Sequence, residues 1–135
     1  MLSNVVRGVR SALLRNAAMG GLLDVVQSMI ERGADVNSKT FLFNMTPLHL
    51  ASFTGQEAIA ITLLDNGAKV NAVNRFGWTP LHMASKEGKE SMAALLLDRG
   101  AWITIKDMGQ RTPVDVAKNE AMREILLRST GSPPT

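Results

Sequence analysis

One six-residue phrase recurs at a fixed interval. Residues 46–51 read TPLHLA, residues 79–84 read TPLHMA and residues 112–117 read TPVDVA, each 33 positions after the one before. A chain that repeats itself at this period is built by stacking one small supersecondary unit, because a single helix pair cannot bury its own apolar face. The register runs well past the phrase. Glycine falls nine residues after the first two threonines, at Gly55 and Gly88, and again 21 after them, at Gly67 and Gly100. Counting back 21 from Gly33 reaches Ala12, and nine onward is Gly21, so Ala12, Leu13 and Leu14 stand where later copies have Thr, Pro and Leu. The chain therefore holds four units, the first degenerate.

Each phrase has a local reading. Threonine caps a helix by accepting from free first-turn amides, and proline suits the first helical position, so a helix is expected to start at each Thr-Pro. Gly55 and Gly88 follow about two turns later, where a left-handed residue ends a helix. Apolar residues then recur at helical spacing: Val25, Val26, Met29 and Ile30, then Ile59, Leu63 and Leu64, then Met92, Leu95, Leu96 and Leu97. That predicts a second helix, closed by Gly33, Gly67 and Gly100, with ADVNSKT, AKVNAVNRFG and AWITIKDMGQ as extended turns leading to the next unit.

This pattern resembles the ankyrin repeat, over about residues 12–128. The resemblance implies an all-α solenoid of helix-turn-helix units with projecting β-turn loops. The expected organisation is an N-terminal capping helix over 1–11, repeats at about 12–40, 41–73, 74–106 and 107–128, and a flexible polar tail over 129–135. The interval from Gly33 to Gly67 is 34, so the loop holding KTFLFNM has one extra residue, and Asn44 stands where the family usually has glycine. In the fourth unit Asp115 replaces histidine and the helical Leu pair comes two residues early, as expected of a shortened closing repeat.

Composition excludes several functions. At 135 residues and 45% apolar content one domain is expected. No uncharged apolar run approaches the roughly 20 residues of a membrane span. There is no cysteine, which removes disulfides and thiolate chemistry and is compatible with the cytoplasm or nucleus. The net charge of +3 comes from Arg7, Arg10 and Arg15, which precede the first acid, Asp24; beyond that point bases and acids balance at 12 each, so no nucleic-acid partner is expected. Glu87 and Glu90 sit beside Lys86 and Lys89 as a solvated surface. No nucleophile elbow, phosphate loop or dinucleotide fingerprint occurs, so no catalysis and no cofactor are expected. His49 and His82 share one register position, about 10 Å apart by the usual helix spacing, too far to share a metal; the resemblance assigns them to joining adjacent repeats.

The six aromatic residues lie outside the second-helix stripes, and five fall in or near the loops. By the resemblance, Leu42, Phe43, Met45, Arg75, Phe76, Trp78, Met108 and Arg111 occupy loop tips. Phe53, Thr54, Lys86 and Glu87 end the first helices. These positions line the concave face with which ankyrin repeats hold partner proteins, which implies an adaptor, scaffold or inhibitor, monomeric alone. Phe43, Phe53, Phe76 and Trp78 are the expected hot spots, since binding energy concentrates in aromatic anchors; Phe41 and Trp102 are expected to pack against neighbouring loops. At the N-terminus, Leu2, Val5, Val6, Val9 and Leu13 share one side of a helical wheel, opposite Arg7, Arg10, Ser11 and Arg15. An extension covering the end of the first repeat is expected; self-association and a mitochondrial transit segment are the alternatives.

Overall fold

The computed structural model describes residues 2–128, with side chains from Asn4 onward; the expected tail at 129–135 lies outside the described residues. The chain runs through α1 (Leu2–Gly20), α2 (Leu23–Glu31), α3 (Pro47–Thr54), α4 (Glu57–Asp65), α5 (Pro80–Glu87), α6 (Glu90–Asp98) and α7 (Glu120–Arg128), with no strand among the described residues.

The repeated phrase explains where the helices start. Thr46 Oγ1 accepts from the His49 amide at 3.2 Å while the Thr46 amide donates to His49 Nδ1 at 3.2 Å, a reciprocal box that satisfies two otherwise orphaned donors. Thr79 and His82 repeat it before α5. Pro47 and Pro80 follow at a position that needs no N–H. Gly55 and Gly88 end the two helices at φ 79° and 70°, a left-handed conformation that costs a Cβ-bearing residue energy.

First helices stack on first helices, α1 on α3 and α3 on α5, while α2, α4 and α6 form the layer behind. Leu14, Leu48 and Leu81 occupy successive first helices and are fully buried. Each contributes about 1.5–3 kcal/mol by leaving water. The position of a unit in the stack sets the burial of its second helix: Ile59 and Met92, one repeat apart, are 2% and 1% exposed, whereas Val25, at the same register in α2, is 36% exposed. No preceding unit covers α2 among the described residues.

Two expectations need correcting. The third phrase does not open a helix. Residues 113–116 make only turns, with the Val116 amide on the Thr112 carbonyl at 3.2 Å and the Ala117 amide on the Val114 carbonyl at 3.2 Å. The β-branched Val114 and Val116 favour helix weakly, and α7 begins only at Glu120, capped by Asn119 Oδ1 accepting from the Met122 amide.

The N-terminal extension is helical and continuous with the first unit, but its apolar stripe does not cover the repeat. Val5, Val9 and Leu13 are 66%, 57% and 46% exposed. At 100° per residue the buried side of α1, Ser11, Leu14 and Ala18, lies roughly opposite that stripe. The polar side makes the attachment: Ser11 Oγ accepts from the Asp35 amide, Arg10 donates to the Arg32 carbonyl and Arg15 to Ser38 Oγ.

Candidate functional site

The loop tips are built by short-range hydrogen bonding. In the second tip the Asn74 amide donates to the Trp78 carbonyl, and Asn74 Oδ1 accepts from the amides of Phe76 and Trp78 at 2.9 and 3.0 Å. Asp107 does the same in the following repeat, accepting from Gly109 and Arg111 at 2.8 Å each. In the first tip Thr40 takes this place: its amide donates to the Met45 carbonyl, and its Oγ1 accepts from the Met45 amide. That closure spans one residue more, and the extra residue is expelled as a bulge. Phe41 is consequently 95% exposed, which corrects the expectation that it packs against a neighbouring loop. Trp102 is 39% exposed, with its amide bonded to Asn71 Oδ1. Asn44, Gly77 and Gln110 share one register position and one left-handed conformation, at φ 54°, 77° and 65°, so the tips of all three loops turn alike without glycine in two of them.

Successive tips are tied together. The Arg75 amide donates to the Phe43 carbonyl at 2.9 Å and the Met108 amide to the Phe76 carbonyl at 3.0 Å, making a backbone ladder along the stack. Phe43 and Phe76 face each other at 5.5 Å between ring centroids. Beneath them opens a cleft of about 480 Å³ lined by Phe43, Met45, Asn74, Phe76, Trp78, Met83 and Arg111. It gathers five residues expected at the partner face.

The other expected residues lie outside the lining. Leu42 and Met108 are 59% and 75% exposed beside the cleft, and Arg75 donates from Nη1 to the Leu42 carbonyl at 3.1 Å. Phe53 and Thr54 end α3, where Thr54 Oγ1 is turned back onto the Leu50 carbonyl, and Lys86 and Glu87 end α5. Trp78 is a wall rather than a free anchor. Its indole N–H donates to Asp107 Oδ2 at 2.7 Å, its ring stacks on His82 at 5.6 Å, and its carbonyl accepts from His49 Nε2 at 2.7 Å. Sequence reasoning missed Met83 and Asn74. An asparagine two residues before Phe76 was a readable turn signal, but nothing marked the residue after His82 as facing a cleft.

The histidines are committed to structure. Because the threonine amide donates to Nδ1, the proton is on Nε2, which donates to the Trp78 carbonyl from His49 and to the Arg111 carbonyl at 2.9 Å from His82. Burial pushes His49 down to about 4, against the opposing effect of its bond to Trp78. His82 is lowered for the same reason. Burial alone would raise Asp107, but the backbone bond from Arg111, then the bonds from Trp78, the Arg111 side chain and Gly109, hold it down to about 2. Asp107 is therefore an ion whose side chain is fully covered and fully bonded. Among the described residues no three His, Cys, Asp or Glu gather in a way that suits a metal.

Comparison with known proteins places this geometry. A family model described as ankyrin repeats (3 copies) matches residues 14–107. Dauer abnormal formation protein 25 of Caenorhabditis elegans is 38% identical over 66 residues, 49% of this chain and 17% of its own length. Glycerophosphocholine phosphodiesterase gde1 of Schizosaccharomyces pombe is 33% identical over 75 residues, 56% of this chain and 7% of its own length. Potassium channel KOR2 of Oryza sativa is 38% identical over 58 residues, 43% of this chain and 8% of its own. The chain thus spans less than a fifth of each of these relatives, and what is shared is the repeat. With the family model covering well over half of it, this chain belongs to the ankyrin-repeat family, whose members generally serve as protein–protein interaction modules.

Proposed function

We propose that the chain is a non-catalytic recognition module, an adaptor, scaffold or inhibitor, that is monomeric alone and holds a partner protein against its loop tips. The cleft of Phe43, Met45, Phe76, Trp78 and Met83 carries this reading, because it is contiguous, apolar and walled by a hydrogen-bonded ladder that needs no reordering on binding. The two exposed phenylalanines supply the energy. Trp78 supplies shape.

The test compares the intact protein with Phe43→Ala/Phe76→Ala in affinity capture, followed by titration of the captured protein. Truncated hot spots cost at least about 2 kcal/mol each, a loss of roughly thirtyfold or more. A partner whose affinity survives the double change would refute the surface. Light scattering of the purified chain is expected to report a monomer; a stable dimer dissolved by Val9→Ser would favour self-association through the α1 stripe instead.

A further inference from the structure

The body of the protein is neutral in sum but not in distribution. Helix α4 begins at Glu57 and ends at Asp65, α6 begins at Glu90 and ends at Asp98, and α2 carries Asp24 and Glu31, with no lysine or arginine in any of the three. In α7, Arg123 and Arg128 are each paired within the helix, to Glu120 and Glu124. Eight of the chain's 12 acids thus lie on α2, α4, α6 and α7. The connecting segments 32–46, 66–79 and 99–119 have the opposite sign, with eight bases against Asp35, Asp107 and Asp115.

Two of these bases are met by carboxylates, Arg111 by Asp107 and Arg99 by Asp65, and the remaining six still outnumber Asp35 and Asp115. Asp107 has no exposed side-chain surface and is engaged by Trp78 and Arg111. Asp115 accepts from the Thr112 amide and Asp35 from the Asn37 amide, both within their own turns. The cleft lining contains no carboxylate, and its one base, Arg111, is held by Asp107. Arg75, on the ladder between Phe43 and Phe76, donates to a backbone carbonyl, and Lys39 at the foot of the first tip donates to the Val73 carbonyl. Their charges meet no carboxylate there. Apolar floor and cationic rim therefore select together.

We propose that the cleft takes a linear protein segment in which bulky apolar side chains alternate with Asp or Glu. This rests on the recognition reading above and adds the chemistry of the occupant. Two repeat steps of about 10 Å separate the first tip from the third, a span of about six extended residues. Alternate side chains of such a segment point to opposite faces. One set enters among Phe43, Phe76 and Met83 while the carboxylates between them stay at the wet rim near Arg75 and Lys39. Rim charge acts mainly on association rate and partner choice, and salt screens it.

Fluorescence anisotropy with short synthetic peptides tests this on the full chain. The probes are Phe/Leu alternating with Glu, the same peptide with Gln or with Lys for Glu, and a Ser/Glu peptide lacking the apolar residues. The Phe/Leu/Glu probe is expected to bind at least about fivefold more tightly than the Gln probe at low salt, with the gap closing near 1 M, where the screening length is about 3 Å. Arg75→Glu, checked for an unchanged melting curve, is expected to invert the preference between Glu and Lys probes. Equal binding of all three apolar probes, each lost in Phe43→Ala/Phe76→Ala, overturns the acidic preference and leaves the surface standing. Tight binding of the Glu probe that the double variant leaves unchanged overturns the surface as well. Binding of the Ser/Glu peptide as tight as that of the apolar one, or displacement by an RNA oligonucleotide whatever the peptide's apolar content, makes the face a polyanion site and defeats the proposal. So does the absence of binding by every probe.

Discussion

The third and fourth units start from the same phrase and end differently. In the third, His82 completes the box with Thr79 through Nδ1 and reaches the next unit through Nε2 on the Arg111 carbonyl. In the fourth, Asp115 stands at the same register. The Thr112 amide donates to its Oδ2 at 2.9 Å and its own amide donates to Thr112 Oγ1 at 3.3 Å, so the box is kept and the outward bond is gone. An imidazole has two nitrogens on opposite sides of the ring and serves two units, whereas a short carboxylate serves one. In the third unit the second ring nitrogen is what ties it to the fourth. The helix differs as well: α5 is a buried two-turn helix between α3 and α6, while residues 113–116 remain a turn.

This contrast can be broken most forcefully in the core. Leu81→Ala is expected to destabilise by about 2–5 kcal/mol, since Leu81 is fully buried. Val114→Ala, at the same register in the half-buried turn, should stay below about 1.5 kcal/mol in the same urea titration. Equal losses would mean that the fourth unit is packed like the third. Next in size, His82→Ala is expected to cost about 2–4 kcal/mol, because the Thr79 amide and the Arg111 carbonyl both lose a partner in buried surroundings. His82→Asp should recover some of that loss by keeping the box alone, and a full recovery would show the bridge to be idle.

Acid unfolding sharpens the same point. His49 has a folded pKa of about 4, below its unfolded 6.5, so the unfolded chain takes up the proton first. The contribution is present above 6.5 and is lost as pH falls towards 4, by about 3 kcal/mol for a shift of that size. His49→Gln should flatten the stability profile in that window. Asp107 has its own window, since its depressed pKa gives stability that persists until pH falls below the ordinary carboxylate range towards 2. The smallest effect is expected of Asp115→Ala, which removes only an exposed cap, and a loss as large as that of His82→Ala would end the comparison.

The repeat showed in the sequence as a period, and the first two Thr-Pro starts were readable because a cap depends on residues within four positions of one another, whereas the third Thr-Pro opens only a turn. The candidate cleft was only partly readable. Phe43, Phe76 and Arg111 could be placed by register, but Met83 could not be distinguished from core methionines. Trp78 read as a free anchor because its bond to Asp107 spans 29 residues. The extra residue in the first loop could be counted, yet which residue would be pushed outward depended on the closure between Thr40 and Met45.

What this chain's amino acids settle unaided is the repeating unit, since helix caps, turn formers and apolar spacing act over a few bonds whatever surrounds them. What only assembly decides is which faces remain wet. Val25 and Ile59 carry the same kind of side chain at the same register, yet one is 36% exposed and the other 2%. The outward turn of the Val5, Val9 and Leu13 stripe and the parting of acids from bases have the same origin. Exposure and potential are sums over neighbours about 30 residues away in the chain, and those distances exist only once the units are stacked.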